Sequence, residues 1–125
     1  MDIIVSDSSP IALYEQIKNQ IISQIVSKNL LPGQPLPSIR TLAREIKVSI
    51  ITVKKSYEIL ESEGYIETVP SKGSFVSAKN TEKMRQLAIY EWENKLEEIV
   101  KRAKELDISL DEGMEIFKEL YNLKD

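Results

Sequence analysis

The sequence predicts a mainly α-helical protein with one small β-hairpin, which is an α+β fold. Three observations indicate this fold. Apolar residues recur every three or four positions in several stretches, serine stands at the start of some of these stretches, and two short β-type runs flank the tetrapeptide Pro70–Gly73.

The first helix is predicted from Pro10 to about Lys28, because Ser9 suits the N-cap and proline suits the first helical position. The preceding apolar run Ile3–Val5 is either a strand or a docked arm. Prolines at 32, 35 and 37 exclude a helix from 31–37, because each removes a backbone donor and restricts the residue before it. We expect an ordered turn there.

A short second helix is predicted over Ile39–Ile46, with Ser38 as its cap, and a third over Ile50–Glu63, with Ser49 as its cap. Gly64 suits the left-handed position that ends a helix. About three residues join the two helices, which is the spacing of a helix-turn-helix.

The β-type runs 65–69 and 74–77 flank a turn at 70–73 and predict a hairpin. A helix-turn-helix followed by such a hairpin is a winged helix-turn-helix, a module that places one helix in the DNA major groove. We therefore assign residues 1–78 to a winged helix-turn-helix domain.

Residues 79–125 form the predicted tail. A long helix is expected at about 81–106, capped by Asn80 or Thr81, and a last helix at about 110–123. Ser109 and Glu112 have the spacing of a capping box at the start of the last helix. The two helices are predicted to form a hairpin.

Composition narrows the function. The chain has no cysteine and no histidine, which argues against thiol catalysis and most hydrolase or metalloenzyme sites, so we expect neither an enzyme nor a cofactor or metal site. No apolar run is long enough to span a membrane and the N-terminus is unlike a signal peptide, so a cytoplasmic location is expected.

The net charge of −3 is unevenly distributed. Residues 1–78 carry eight basic and eight acidic residues, whereas 79–125 carry nine and twelve, which places the whole negative excess in the tail. Residues 38–55 hold five basic residues against Glu45 alone. The electric field of a charged patch acts within about 8–10 Å. This basic patch can therefore bind the phosphates of DNA although the net charge of the protein is negative.

These motifs resemble the GntR family of bacterial transcription regulators. The stretches LPSIRTLA, KVSIITVKKSYEILESEGYIE and KGSFV are similar to its second helix, its third helix with the first wing strand, and its return strand. PIALYEQI is similar to its first helix. The short two-helix tail resembles the YtrA-type branch, which lacks a large ligand-binding domain and dimerises through the tail. Two positions depart from the family pattern, with Ile50 in place of an arginine and Ser71 in place of a glycine.

The resemblance and the residue chemistry together give a candidate DNA surface on the second helix, the third helix and the wing tip. For Ile50 the alternative is packing under the wing or against the second helix, and for Arg40 it is a surface ion pair. The candidate residues are Ser38, Arg40, Arg44, Ser49, Ile50, Ile51, Thr52, Lys54, Lys55, Ser71, Lys72 and Gly73.

The tail carries more large apolar residues than a two-helix hairpin can bury, and two copies could form a four-helix bundle. The alternative is packing onto the chain's own winged domain. Only scattered Trp and Tyr residues favour a small-molecule effector in the tail. The candidate dimerisation residues are Leu87, Trp92, Leu96, Ile99, Val100, Phe117, Leu120 and Tyr121.

The sequence therefore predicts a homodimeric, sequence-specific DNA-binding regulator, a repressor that reads an inverted-repeat operator with its third helix in the major groove. The wing is expected on phosphates or in the minor groove. The alternative is a winged-helix protein–protein interaction module that does not bind DNA.

Overall fold

The computed structural model describes residues 1–79 and 81–123, and over these it confirms a mainly α-helical fold with a small β wing. The two strands are antiparallel. In chain order the elements are α1 (Leu13–Val26), α2 (Ile39–Ile46), α3 (Ile50–Ser62), β1 (Ile66–Val69), β2 (Gly73–Val76), α4 (Thr81–Glu105) and α5 (Leu110–Tyr121).

The core is built around α3, which packs against α1, α2 and β1. α3 buries Val53, Ser56, Tyr57 and Leu60 on one face, in agreement with the stripe expected from its spacing. α1 contributes its isoleucines to the same core, and they are Ile17, Ile21, Ile22 and Ile25.

Two hydrogen bonds fix α3 against its neighbours. The Ser56 hydroxyl, which is fully buried, donates to the carbonyl of Tyr14 in α1 at 2.8 Å. The Tyr57 hydroxyl donates to the carbonyl of Pro37 at 2.7 Å, immediately before the cap of α2. These bonds satisfy buried polar groups and also set how α3 is rotated relative to α1 and α2.

The predicted starts of α2 and α3 are confirmed, but the predicted start of α1 at Pro10 is wrong. The N-cap of α1 is Ala12, which has no side-chain cap. Ser9 instead accepts a hydrogen bond from the Ile11 amide at 3.2 Å, so its hydroxyl closes the turn before the helix. Serine favours turns and helix caps by the same local bond, and sequence alone does not separate the two.

The N-terminal segment is an arm docked along α1, the second of the two alternatives for Ile3–Val5. Three glutamines spaced four apart on α1 hydrogen-bond to backbone groups of alternate arm residues. Four helical residues rise about 6 Å and two extended residues span nearly the same length, so the two spacings match. The pairs are Gln24 with Asp2 at 2.8 Å, Gln20 with Ile4 at 2.6 and 2.9 Å, and Gln16 with Ser6 at 2.9 and 3.0 Å.

The predicted wing is confirmed, and it has a further neighbour. The two strands pair from Ile66 with Val76 to Val69 with Gly73. The proline-rich segment then lies along β2, where the Val76 amide donates to Gln34 O at 2.9 Å and the Leu36 amide to Ser74 O at 2.9 Å. The segment expected to form a turn at 31–37 therefore also pairs with the edge of β2. The sequence does not predict this pairing, because prolines are unfavourable in strands.

The described tail contains the two predicted helices, and α5 ends at Tyr121. The Ser109 hydroxyl accepts from the Glu112 amide at 3.1 Å, as the capping box predicts for the serine. Asn80, one of the two expected caps of α4, lies outside the described residues. No helix among the described residues is apolar over a length that would cross a bilayer.

The chain divides into two compact units, Met1–Gln86 and Leu87–Asp125. The first unit holds the winged helix-turn-helix together with the first turns of α4, where Met84 is buried. The domain boundary after residue 78 stays a prediction.

Replacing Tyr57 by phenylalanine is expected to lower the free energy of unfolding by about 1 kcal/mol, because the Pro37 carbonyl loses its hydroxyl donor.

Burial raises the pKa of the Tyr57 phenol above its ordinary value of 10.0, and the Glu45 carboxylate adds to this. Above about pH 10 the unfolded chain ionises first, so this group's stabilisation is full below that pH and declines above it. Urea titrations on both sides of pH 10 should show that the free energy of unfolding declines less steeply with pH in Tyr57→Phe than in the wild type.

The matched control is Tyr90→Phe, which removes the hydroxyl of a tyrosine that is mostly exposed on α4. Its unfolding free energy should match that of the wild type within about 0.5 kcal/mol. Equal stability of the Tyr57→Phe and Tyr90→Phe proteins would contradict the role given to the Tyr57 hydroxyl.

Candidate nucleic-acid interface

The N-termini of α2 and α3 share one capping arrangement. The Ser38 hydroxyl accepts from the Thr41 amide at 3.1 Å and donates to the Thr41 hydroxyl at 2.8 Å. At α3 the Ser49 hydroxyl accepts from the Thr52 amide at 3.1 Å and lies 2.8 Å from the Thr52 hydroxyl. Each cap orders a helix N-terminus, where amide groups and the helix dipole favour an anion such as phosphate.

The first turn of α3 presents two isoleucines to solvent. Ile50 is 46% exposed and Ile51 is 79% exposed, whereas Val53 one turn further is buried. Ile51 therefore has almost no packing role within the chain. In a major groove an exposed aliphatic group of this kind can contact a thymine methyl.

The predicted basic residues have different surroundings. Arg40 and Arg44 are exposed on α2, and neither is in an ion pair with another described residue. Lys54 lies 3.8 Å from Glu58 in a largely exposed pair, which contributes little and can be exchanged for phosphate. Both arginines and Lys54 are therefore available to a polyanion.

Lys55 is oriented towards α1. Its Nζ lies 3.9 Å from the centroid of the Tyr14 ring, which is a cation–π contact. The sequence predicts Lys55 to act with the other basic residues of α3. Its contact with Tyr14 on a different helix could not be predicted from residue spacing. Its DNA contact stays a prediction.

The wing tip has a strained backbone. Ser71 adopts a left-handed φ of 68°, and the Lys72 amide closes the turn on Val69 O at 3.0 Å. A positive φ after Pro70 is typical of a type II turn, in which glycine or asparagine is usual. The serine at this position therefore holds the conformation with more strain than glycine would, and the turn leaves Lys72 exposed.

A polar contact that the sequence did not reveal ties the wing to α3. The Thr68 hydroxyl in β1 donates to Glu61 Oε2 at 3.2 Å and lies 3.0 Å from the Ser74 hydroxyl in β2. This network joins both wing strands to the C-terminal part of α3. It helps to keep the wing tip in a fixed position relative to that helix.

One further exposed cation lies in the turn between the two helices that carry the candidate DNA residues. Lys47 is exposed in the turn between α2 and α3 with φ 57°, and the Val48 amide donates to Ala43 O at 3.0 Å. The sequence places Lys47 in the basic stretch 38–55, but it is not one of the predicted DNA-binding residues. Its position within the turn of the helix-turn-helix is the sequence feature that indicates Lys47 as a further candidate.

The predicted dimerisation residues remain exposed or half-buried in the single chain. α5 buries none of its residues, and Tyr121 is 80% exposed. The rings of Phe117 and Tyr121 stack with centroids 6.0 Å apart. Leu87 and Leu96 are half-buried, while the exposed members of the set are Trp92, Ile99, Val100, Phe117, Leu120 and Tyr121.

Comparison with known proteins places this arrangement in a family. Residues 13–76 match the family model "Bacterial regulatory proteins, gntR family". The chain is 37% identical over 118 residues to YhcF of Bacillus subtilis, an uncharacterized HTH-type transcriptional regulator, and this covers 94% of the chain and 95% of YhcF. It is 39% identical over 79 residues to YtrA of the same organism, an HTH-type transcriptional repressor, covering 62% of the chain and 61% of YtrA.

Solved structures of proteins in the same family have a similar fold. A GntR family transcriptional regulator from Listeria monocytogenes covers 96% of the chain with a TM-score of 0.74 and 25% identity, and all of that protein is matched. YtrA from Sulfolobus acidocaldarius, a GntR-family transcription factor, matches 70% of the chain and 92% of its own length, with a TM-score of 0.57 and 37% identity. The DNA-binding domain of AraR, solved in complex with its operator ORX1, matches 59% of the chain and 94% of that domain, with a TM-score of 0.52 and 29% identity.

The chain therefore belongs to the GntR family of bacterial regulatory proteins, in its YtrA-like branch, and it is a transcription regulator with a DNA-binding winged helix-turn-helix rather than an enzyme.

Proposed function

We propose that this regulator acts as a homodimeric repressor that reads an inverted-repeat operator. The observation that carries the proposal is the first turn of α3, where Ile50 and Ile51 are exposed beside the ordered N-terminal cap Ser49. Exposed isoleucines at the start of a helix-turn-helix recognition helix suit direct contact with bases, because base edges are read by the N-terminal residues of that helix.

Each part of the surface then has a role in DNA binding. α3 enters the major groove, where Ile50 and Ile51 contact thymine methyls and Thr52 reaches a base edge or phosphate. Arg40, in the first turn of α2, binds phosphate or guanine, and Lys72 on the wing tip binds phosphate or the minor groove. Because Ile50 stands where many members of the family carry an arginine, we expect the operator of this protein to differ from theirs.

Pairing of two chains through the tail supports an inverted repeat. A two-fold dimer presents its recognition helices to half-sites about 34–36 Å apart, one turn of DNA. The exposed apolar side chains of α4 and α5 supply a surface that a second tail can bury. The name of the B. subtilis relative YtrA, a transcriptional repressor, supports repression as the sign of regulation.

Arg40→Ala is expected to weaken operator binding by about tenfold, since a charged hydrogen bond to DNA is lost, while the unfolding free energy stays unchanged. If Arg40 binds a phosphate, the slope of log K against log salt should become shallower by about 0.9. Fluorescence anisotropy at several salt concentrations measures both quantities. The control Arg102→Ala removes an equal charge from the tail, and it should bind as the wild type does.

Ile51→Ala is expected to lose the contact of an aliphatic side chain with a thymine methyl. Replacing the contacted thymine by deoxyuridine removes that methyl alone and should cost the wild-type protein about fourfold in affinity, the effect of one methyl group. The Ile51→Ala protein should bind both duplexes equally, so the double-mutant cycle gives a coupling energy. If the effects of Ile51→Ala and of the deoxyuridine substitution were additive at every thymine of the half-site, Ile51 would not contact a thymine methyl.

Leu120→Glu is expected to dissociate the dimer. Leu120 is mostly exposed in the single chain, so the winged domain should keep its thermal stability, but a buried glutamate at a dimer interface would be strongly unfavourable. Sedimentation equilibrium should show at least about a tenfold higher dimer dissociation constant, a cost above 1.4 kcal/mol. Its neighbour Glu119→Gln serves as the control. A wild-type protein that is monomeric at tens of micromolar would refute the proposed dimer.

A further inference from the structure

A cleft of about 450 Å³ lies between the C-terminal end of α1 and the first turn of α4. Every residue that lines it belongs to the first compact unit. Its volume falls within the range of about 300–1,000 Å³ that is usual for small-molecule sites. The lining residues are Ile25, Val26, Lys28, Leu30, Pro32, Thr81, Glu82 and Arg85.

The lining combines an apolar floor with a positive rim. Ile25 and Leu30 are core residues at the floor. Lys28 and Arg85 are exposed at the rim, and neither is ion-paired with any residue in 1–79 or 81–123. Glu82 is the acidic residue of the lining, so the cleft carries a net charge of about +1, which favours a single anionic group over a dianion.

Lys28 holds a backbone conformation that costs a lysine more than a glycine. Its φ is 66°, just after the end of α1, where glycine is the usual residue. The helix dipole favours a cation there as well, so this position alone does not indicate a ligand. It does allow a sharp test, because Lys28→Gly removes the cation and relieves the backbone strain at the same time.

The cleft adjoins the segment that positions the DNA-binding elements. Pro32 is followed by Gly33, whose amide donates to Val76 O in β2 at 2.8 Å, and the segment continues along β2 to Leu36. Two residues later Ser38 caps α2. A molecule in the cleft therefore contacts a segment bonded to the wing and leading into the first candidate DNA residue.

We propose that this cleft is an effector site for a small monocarboxylate with an apolar body, whose carboxylate binds Lys28 and Arg85 while the body covers Ile25 and Leu30. Occupation of the cleft changes operator affinity through the segment 31–38. The binding site stands independently of the proposed function, whereas its regulatory effect rests on operator binding.

The experiment titrates hexanoate into the ¹⁵N-labelled full-length protein and follows amide chemical shifts, with neutral hexanamide as the matched control ligand. We expect saturable shifts at the cleft residues, within 25–32 and 81–85, and along the segment that continues from the cleft to residue 38. Hexanamide should bind about tenfold more weakly, because it lacks the charge that the two cations bind. Absence of saturable shifts, or equal binding of the two ligands, would overturn the proposal.

Three variants locate the site. Lys28→Gly and Arg85→Gln should each weaken hexanoate binding by about tenfold, whereas Lys101→Gln on the exposed part of α4 should not. Lys28→Gly should melt at the wild-type temperature or above, so lost binding cannot be ascribed to lost folding. Wild-type affinity for hexanoate in both cleft variants would overturn the site.

Operator affinity, measured with and without saturating hexanoate, tests the regulatory part. Hexanoate should shift it in the wild type, and the same shift in Lys28→Gly should require about tenfold more hexanoate, in line with its weaker binding. Hexanoate binding without any change in operator affinity would overturn the effector role. Failure of the proposed function itself would instead appear as loss of operator binding in the absence of hexanoate.

Discussion

Packing of α3 against α1 and α2 is the constraint on which the remaining structure depends. The buried face of α3 is fixed by Val53, Tyr57 and Leu60, and the bonds from Ser56 and Tyr57 set its rotation. Because a helix has a fixed periodicity, this rotation also decides which residues face outward, and Ile51 is the most exposed of the first turn. Core packing thus positions the surface that we propose reads DNA.

Local signals in the sequence predicted much of this fold. Ser38 and Ser49 were identified as caps because a serine before an apolar stripe satisfies free amides, and the structure shows both bonds. The left-handed φ of Gly64 ends α3 in the same local way. The start of α1 was mispredicted because Ser9 forms a bond that serves a turn equally well.

Features that depend on distant partners could not be predicted. The glutamines of α1 that hold the N-terminal arm read as an ordinary polar face, since their partners are backbone groups whose position no side-chain pattern reports. The pairing of Gln34 with Val76 and the direction of Lys55 towards Tyr14 likewise require the folded chain. The individual residues of the DNA surface and of the dimer surface stay predictions.

The tail and the winged domain differ in how many apolar side chains they bury within the single chain. The winged domain buries an isoleucine-rich core, whereas α5 is a 12-residue helix without a buried side chain, and such a helix is marginal in water by itself. Pairing of tails, as proposed, would remove these apolar groups from water. Dimer formation and helix stability would then depend together on protein concentration.

The most direct test of this account is selection of bound duplexes from a random pool by the full-length protein, followed by sequencing. The account predicts enrichment of one two-fold symmetric motif whose half-sites are centred about one helical turn apart, with thymines at conserved positions. Failure to enrich any motif would contradict sequence-specific reading by α3. Enrichment of a single asymmetric half-site would contradict the proposed paired action.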